Sequence, residues 1–248
     1  MPVSRESVQG SGFEGSVNIK MQAKISEIFL SYQGEGPYVG SRQLFVRFYG
    51  CNLNCVFCDT HMESYKSLAK EALFSRILDF GEDYNEIALT GGEPLLFADF
   101  LEGFLPFFKA HRENPIYLET NGSLPGELER VIDHVNIIAM DFKLPSSTGG
   151  KGLWAKHKKF AEIAGRKELI VKTVVTDKTS MDDIKKMVSI ITELKEEPTI
   201  VLQPVTPIDG RVKESDEEMI WLFKKYMEKA TGKDVMILGQ VHKCLGMK

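Results

Sequence analysis

From Ile25 onward, short apolar runs rich in β-branched residues alternate with longer stretches patterned for amphipathic helices. That alternation constrains the fold more than any single residue. Strands joined by helical crossovers pair in parallel, and the helices bury the sheet. The periodicity predicts strands at 24–30, 44–49, 86–89, 116–118, 135–140, 168–175, 199–202 and 235–238. Helices are predicted at 68–79, 100–111, 126–132, 153–163, 181–194 and 215–230. The expected architecture is α/β, with a mostly parallel sheet that is open or curled into a partial barrel. Residues 1–22, dominated by Ser, Gly, Glu and Gln, read as a flexible N-terminal extension, and Met21 could itself be a start. Residues 23–248 read as one domain. A chain of 248 residues with 43% hydrophobic content can fill one sizeable core.

In parallel sheets, ligands collect beyond the carboxyl ends of the strands, and four strands here run into polar or glycine-rich segments. Strand 86–89 leads into Thr90-Gly91-Gly92-Glu93-Pro94, and strand 116–118 into Glu119-Thr120-Asn121-Gly122. Strand 135–140 leads into Asp141-Phe142-Lys143, and strand 199–202 into Gln203-Pro204-Val205-Thr206. Singly, each reads as turn chemistry. Placed after consecutive strands, they form one rim. Gly91 and Gly92 would let a ligand approach the backbone closely, while Glu93 could fix a turn or accept from an ammonium group.

Directly after the second strand stands Cys51-Asn52-Leu53-Asn54-Cys55-Val56-Phe57-Cys58, a C-x3-C-x2-C run. Three thiolates on a four-iron cluster leave one iron open to a small molecule. A structural zinc site is the simplest rival, with His61 as fourth ligand. Disulfides suit the motif poorly. Three clustered thiols cannot all pair, and the absence of a secretory apolar segment favours a reducing cytoplasm. Cys244, far from the motif, reads as a spectator. The 35 acidic against 31 basic residues give no electrostatic footprint for nucleic acid, and no apolar run approaches the roughly 20 residues needed to span a bilayer. A small substrate is the better expectation.

The cysteine spacing, with Phe57 before the last cysteine, resembles the radical S-adenosylmethionine (SAM) superfamily. A wider set of motifs is similar to one family within it, the 7-carboxy-7-deazaguanine synthases. These are Gln33-Gly34-Glu35-Gly36, Phe45-Val46-Arg47, Gly50-Cys51-Asn52-Leu53, Cys58-Asp59-Thr60, Leu89 to Pro94, Glu119 to Gly122 and Gln240-Val241-His242-Lys243. The resemblance extends over about residues 24–248.

It implies a partial (β/α)6-type radical SAM barrel with a [4Fe-4S] cluster on Cys51, Cys55 and Cys58, and Mg²⁺ on Thr60. SAM would be held by Phe57, Cys58, Asp59, Gly92, Glu93, Glu119, Asn121, Asp141, Phe142, Lys143, Gln203, Pro204, Val205 and Thr206. The implied substrate is 6-carboxy-5,6,7,8-tetrahydropterin, contacted by Tyr32, Gln33, Gly34, Glu35, Arg47, Thr90, His242 and Lys248. Arg47 suits a carboxylate because its planar fork can bind one bidentately. Asp59 would serve either metal or SAM.

No side chain is implied as the catalytic group. A radical made from SAM would take a hydrogen from C6 of the pterin, and ring contraction with loss of ammonia would follow, on the way to queuosine and related 7-deazapurines. Other implied partners are a flavodoxin- or ferredoxin-like electron donor and a second copy in a homodimer, with no nucleic acid and no membrane. A glycyl-radical activase and a non-enzymatic metal-binding module remain the alternatives.

Overall fold

The structure is a computed structural model that describes residues 21–60, 62–205 and 214–246. Of the extension expected over 1–22, residues 1–20 lie outside the described residues, as do His61, Thr206 and Lys248, whereas Gln22 already opens the first strand. The strands are β1 (Gln22–Tyr32), β2 (Arg42–Phe48), β3 (Lys66–Ala69), β4 (Glu86–Gly91), β5 (Ile116–Thr120), β6 (Ile137–Asp141), β7 (Glu168–Val175), β8 (Thr199–Pro204) and β9 (Val235–Ile237). The helices are α1 (Lys70–Leu78), α2 (Ala98–Lys109), α3 (Pro125–Val131), α4 (Pro145–Thr148), α5 (Trp154–Ala164), α6 (Met181–Thr192), α7 (Glu214–Thr231) and α8 (Val241–Cys244).

The nine strands found among the described residues join one sheet in the order β3-β1-β2-β4-β5-β6-β7-β8-β9. From β2 to β9 every pairing is parallel, so the parallel part runs one strand beyond a six-strand barrel. β1 departs from that pattern. It forms an antiparallel pair with β2, and β3 adds antiparallel to its other side. The predicted helix from Leu68 therefore starts late. Residues 66–69 extend along the free edge of β1, Leu68 is buried, and α1 begins at Lys70. Residues 145–148 form the short helix α4, which the periodicity does not predict. Helix α8 was not expected at all; it is a single turn with no apolar face to signal it.

Alternation along the strands divides the sheet into two unlike faces. On one face, Val46, Leu89, Leu118, Ile138, Val171 and Leu202 pack with the buried faces of α1, α2, α3, α5, α6 and α7 in one continuous core. The other face carries a small apolar cluster of Phe45, Ala88, Tyr117, Ile137, Ala139, Ile170 and Val201, to which no α-helix contributes among the described residues. Helices on one face only are what a curled sheet requires, whereas an open doubly wound sheet needs them on both. The helix ends follow ordinary local chemistry. Ser180 caps α6 by accepting from the Asp183 N–H at 3.2 Å.

The helical layer is dense with aromatic rings. Phe104 is fully buried, stacked on Phe100 at 5.5 Å and packed on Phe108 at 6.0 Å. Truncating it leaves a void that rigid neighbours cannot fill. Phe104→Ala is expected to destabilise the fold by about 3–5 kcal/mol in urea titration monitored by circular dichroism.

Candidate active site

The segment after β2 that carries the three cysteines is seated on the end of β4 by backbone contact. The Gly92 N–H donates to the Phe48 carbonyl at 3.1 Å, and the Glu93 N–H donates to the Gly50 carbonyl at 2.9 Å. A Cβ on Gly92 would lie 2.0 Å from the Gly50 oxygen and 3.0 Å from Cys51 Cβ. Gly91 has φ +128°, and its Cβ would lie 2.2 Å from the Phe48 oxygen. Backbone-to-backbone packing thus already requires both glycines, before any ligand does.

Glu93 is fully buried beneath this turn. One carboxylate oxygen accepts from the Leu95 N–H at 3.1 Å and the Thr120 hydroxyl at 2.9 Å, and the other accepts from the Asn121 N–H at 2.8 Å. Burial pushes its pKa up to about 7 against these donors. The carboxylate therefore couples the end of β4 to the end of β5 and is not open to an ammonium group. Asn121, held in this way, donates to the Asn52 side-chain oxygen at 2.9 Å and toward Cys51 Sγ at 3.7 Å. The Leu53 N–H approaches the same sulfur at 3.4 Å. From α5, the buried His157 donates its Nε2 proton to the Asn121 carbonyl at 3.1 Å. Burial pulls its pKa down to about 4, so the ring is neutral.

Cys51, Cys55 and Cys58 are all free thiols and face one cavity of about 750 Å³. Burial pushes the Cys51 and Cys55 thiols up, and at Cys55 the Lys143 ammonium opposes that shift. Among the described residues, no three His, Cys, Asp or Glu side chains converge on one point where a single ion would sit. The fourth ligand of the zinc alternative, His61, lies outside the described residues. Cluster thiolates bind separate irons and can stand further apart.

The cavity wall follows a two-residue rule along the concave face. Phe45 is followed by Arg47, Ala88 by Thr90, Tyr117 by Glu119, Ala139 by Asp141, Ile170 by Lys172 and Val201 by Gln203. In each pair an apolar floor residue precedes a polar rim residue on the same face. Oppositely charged groups pair along the rim. Lys172 pairs with Glu35, Lys243 with Asp59, and Lys143 with Asp141 at 2.7 Å. Gln33 donates to Glu119 at 2.9 Å, and the Thr90 hydroxyl donates to the same carboxylate. Arg47 Nε donates to Glu27 at 3.1 Å, and the guanidinium lies 5.4 Å from the Phe29 ring centre. The C-terminal segment closes one side. The Val241 N–H donates to the Gly34 carbonyl at 2.9 Å, and Gln240 donates to Glu35 at 2.7 Å and Asp59 at 3.2 Å. Gly34 is needed here because a Cβ would strike the His242 ring at 2.1 Å.

Most residues expected at the site line this cavity: Tyr32, Gln33, Gly34, Glu35, Arg47, Phe57, Asp59, Thr60, Thr90, Gly92, Glu119, Asn121, Asp141, Lys143, Gln203, Val205 and His242, with the three cysteines. Glu93, Phe142 and Pro204 do not. Glu93 lies under the glycine turn. Phe142 and Pro204 are one residue out of phase with the concave face, and Phe142 packs on the His157 ring at 4.3 Å. Lys172 and His157 were missed. Lys172 had a legible signal, a lone cation within the apolar strand Glu168–Val175. His157 sits in a polar-looking helix, and nothing in the sequence marks it as buried.

Residues 45–191 match the Radical SAM superfamily, whose members use a [4Fe-4S] cluster and SAM. The 7-carboxy-7-deazaguanine synthase of Geobacter sulfurreducens is 37% identical over 210 residues, covering 75% of this chain and 83% of that protein. The synthase of Methanothermobacter thermautotrophicus is 32% identical over 262 residues, covering 93% of this chain and 100% of its own. Among solved structures, QueE from Escherichia coli superposes with a TM-score of 0.61 at 18% identity, covering 93% of this chain and 100% of its own, a likeness of fold. A radical SAM methyltransferase from Sphaerobacter thermophilus superposes with a TM-score of 0.56 at 17% identity, over 85% of this chain and 68% of its own. Fold and thiol-lined cavity therefore define a radical SAM enzyme. Within that class, the chain belongs to the 7-carboxy-7-deazaguanine synthase family.

The neutral, buried His157 makes stability depend on acid. Its folded pKa of about 4 lies below the ordinary value near 6.5, so between those pH values the unfolded chain binds a proton that the fold excludes. Stability attributable to this group therefore falls as pH drops from about 6.5 to about 4. Glu93, raised to about 7, acts in the opposite sense, with stability falling as pH rises from about 4.5 to about 7. Comparing His157→Gln with the parent protein isolates the histidine. The variant is expected to lose up to about 1.4 kcal/mol per pH unit of the slope in denaturant-derived stability over pH 4–6.5.

Proposed function

We propose that this chain contracts the ring of 6-carboxy-5,6,7,8-tetrahydropterin to 7-carboxy-7-deazaguanine, with loss of ammonia, for queuosine or related 7-deazapurine synthesis. The observation that carries this reading is that one cavity brings three free thiols together with Arg47 and the polar set Gln33, Glu35, Thr90 and Glu119. An activase of glycyl radicals has no need of such a set.

The residues fit the cofactors. Asp141 Oδ1 and Gln203 Oε1 are buried without a hydrogen-bond partner in two cavity-lining side chains, and a bound SAM offers amino and hydroxyl donors to such acceptors. The thiols of Cys51, Cys55 and Cys58 would hold the cluster, with N–H groups from Leu53 and Asn121 tuning one sulfur. When bound, cluster and SAM supply reductive cleavage of a C–S bond and hydrogen-atom abstraction.

The chain's own residues bind, orient and exclude water. Arg47 has five N–H donors, so its bond to Glu27 leaves capacity for the substrate carboxylate. Gln33, Glu35 and Glu119 present acceptors and an amide to the ring edge. Thr60 and Asp59 offer hard oxygen donors for Mg²⁺. The Gln240–Lys243 segment screens the cavity beside Glu35 and Asp59. No described helix is long and apolar enough to cross a membrane. A cytoplasmic homodimer supplied by a flavodoxin- or ferredoxin-like donor completes the proposal.

Anaerobic turnover with SAM, dithionite, Mg²⁺ and the carboxytetrahydropterin, followed by mass spectrometry, tests it. The deazapurine is expected from the parent protein and not from Cys55→Ala. SAM cleavage without deazapurine would reject this substrate. For Arg47→Ala, we expect the pterin KM to rise about 10- to 100-fold, the loss of one charged hydrogen-bonding partner. SAM cleavage in the absence of pterin should persist in that variant; its disappearance would make Arg47 structural.

A further inference from the structure

Lys172 is a buried cation that the cysteine chemistry does not use. It lies on β7 two residues after Ile170 of the apolar floor and two before Val174 of the cavity wall, with its side chain 14% exposed. A lysine in such a wall is costly unless it is paired. Its partner is Glu35, which reaches it from the loop after β1, 137 residues away in the chain. Asp141 on β6 and Glu119 on β5 add to the negative field around the ammonium.

Glu35 is fixed from three directions. Lys172 holds one carboxylate oxygen, Gln240 donates to the other at 2.7 Å, and the Glu35 N–H donates to Gln33 Oε1 at 3.0 Å. His242, Asp59 and Tyr117 also face it through space. The neighbouring cations are committed elsewhere, Lys143 to Asp141 and Lys243 to Asp59.

We infer that Lys172 is a positioning residue for the pterin, anchoring the Glu35 carboxylate at the cavity wall as an acceptor for the ring's N–H edge. The inference rests on the function proposed above. A carboxylate has about four lone-pair sites, so the bonds from Lys172 and Gln240 leave room for two more donors. A 2-amino-4-oxo ring edge presents a ring N–H and an amino N–H side by side, which fits that remaining capacity. Burial pushes Glu35 toward the protonated form, yet Lys172, with help from Gln240 and His242, holds it down at about 2. Without the ammonium, the same burial favours a carboxylic acid, which donates where the substrate also donates.

The test is steady-state kinetics and SAM binding on parent, Lys172→Met, Lys172→Arg, Glu35→Gln and the Lys172→Met/Glu35→Gln pair. Lys172→Met is expected to raise the pterin KM about 10- to 100-fold, with kcat changed far less and SAM affinity unaltered. Lys172→Arg should recover most of the loss. In the Glu35→Gln background, Lys172→Met should add little, because the two side chains act as one unit. If Lys172→Met does not fold, Lys172→Gln carries the same comparison. Parent protein that turns over the pterin alongside an unchanged KM in the lysine variant would overturn this inference alone. So would additive effects in the double variant, or a parallel fall of kcat and SAM affinity. Parent protein that makes no deazapurine would overturn the functional reading and this inference with it.

Discussion

Everything at the site depends on one backbone contact, the seating of the Gly50–Cys51 segment against Gly91 and Gly92 at the end of β4. Two hydrogen bonds and the absence of two Cβ atoms fix the height of the first cysteine above the sheet. Glu93, buried below, carries the same constraint sideways to Thr120 and Asn121, and Asn121 returns it to Asn52 and Cys51. His157 supports the carbonyl of Asn121 from the helical layer. The cysteine segment is thus held by the ends of two adjacent strands and a helix behind them. Such support matters because a site must be held to a fraction of an ångström.

The second organising feature is electrostatic. The concave face changes from apolar to polar within two residues along six of its strands, so the charged rim groups stand on a low-dielectric floor. In that setting an unpaired charge is expensive, and the rim charges are arranged in pairs, two of them contributed by segments distant in sequence. Glu35 with Lys172 joins the first loop to β7, and Asp59 with Lys243 joins the cysteine segment to the C-terminal turn. Pairing of this kind places acceptors and donors before a substrate arrives, and it lets the chain's last turn complete the wall.

How much of this was legible follows from the reach of each signal. Strand and helix periodicity is local, and it located the parallel strands and most of the helices. Antiparallel β3 was invisible because four residues carry too little pattern, and its pairing with β1 is a tertiary event. The rim residues could be read because glycines, carboxylates and amides after an apolar strand are unusual there. Phe142 and Pro204 were misplaced because the motif fixes position along the strand but not its phase, and a shift of one residue turns a side chain to the opposite face. Gly92 was assigned to ligand approach, whereas the structure gives it a prior reason in the packing of the cysteine segment. Lys172 lay in plain view within its strand, but only the fold shows that Glu35 meets it.

On the function proposed here, the Gly91–Gly92 seat would position Cys51, Cys55 and Cys58 for a cluster with a SAM-accessible iron. The most direct measurement is electron paramagnetic resonance of the reduced, reconstituted protein before and after SAM, in the parent chain and in Gly92→Ala. SAM is expected to reshape the parent's cluster signal, and Gly92→Ala, with helix content intact, is expected either to hold little iron or to show no response to SAM. A Gly92→Ala protein with a full cluster and the parent's response to SAM would contradict that expectation.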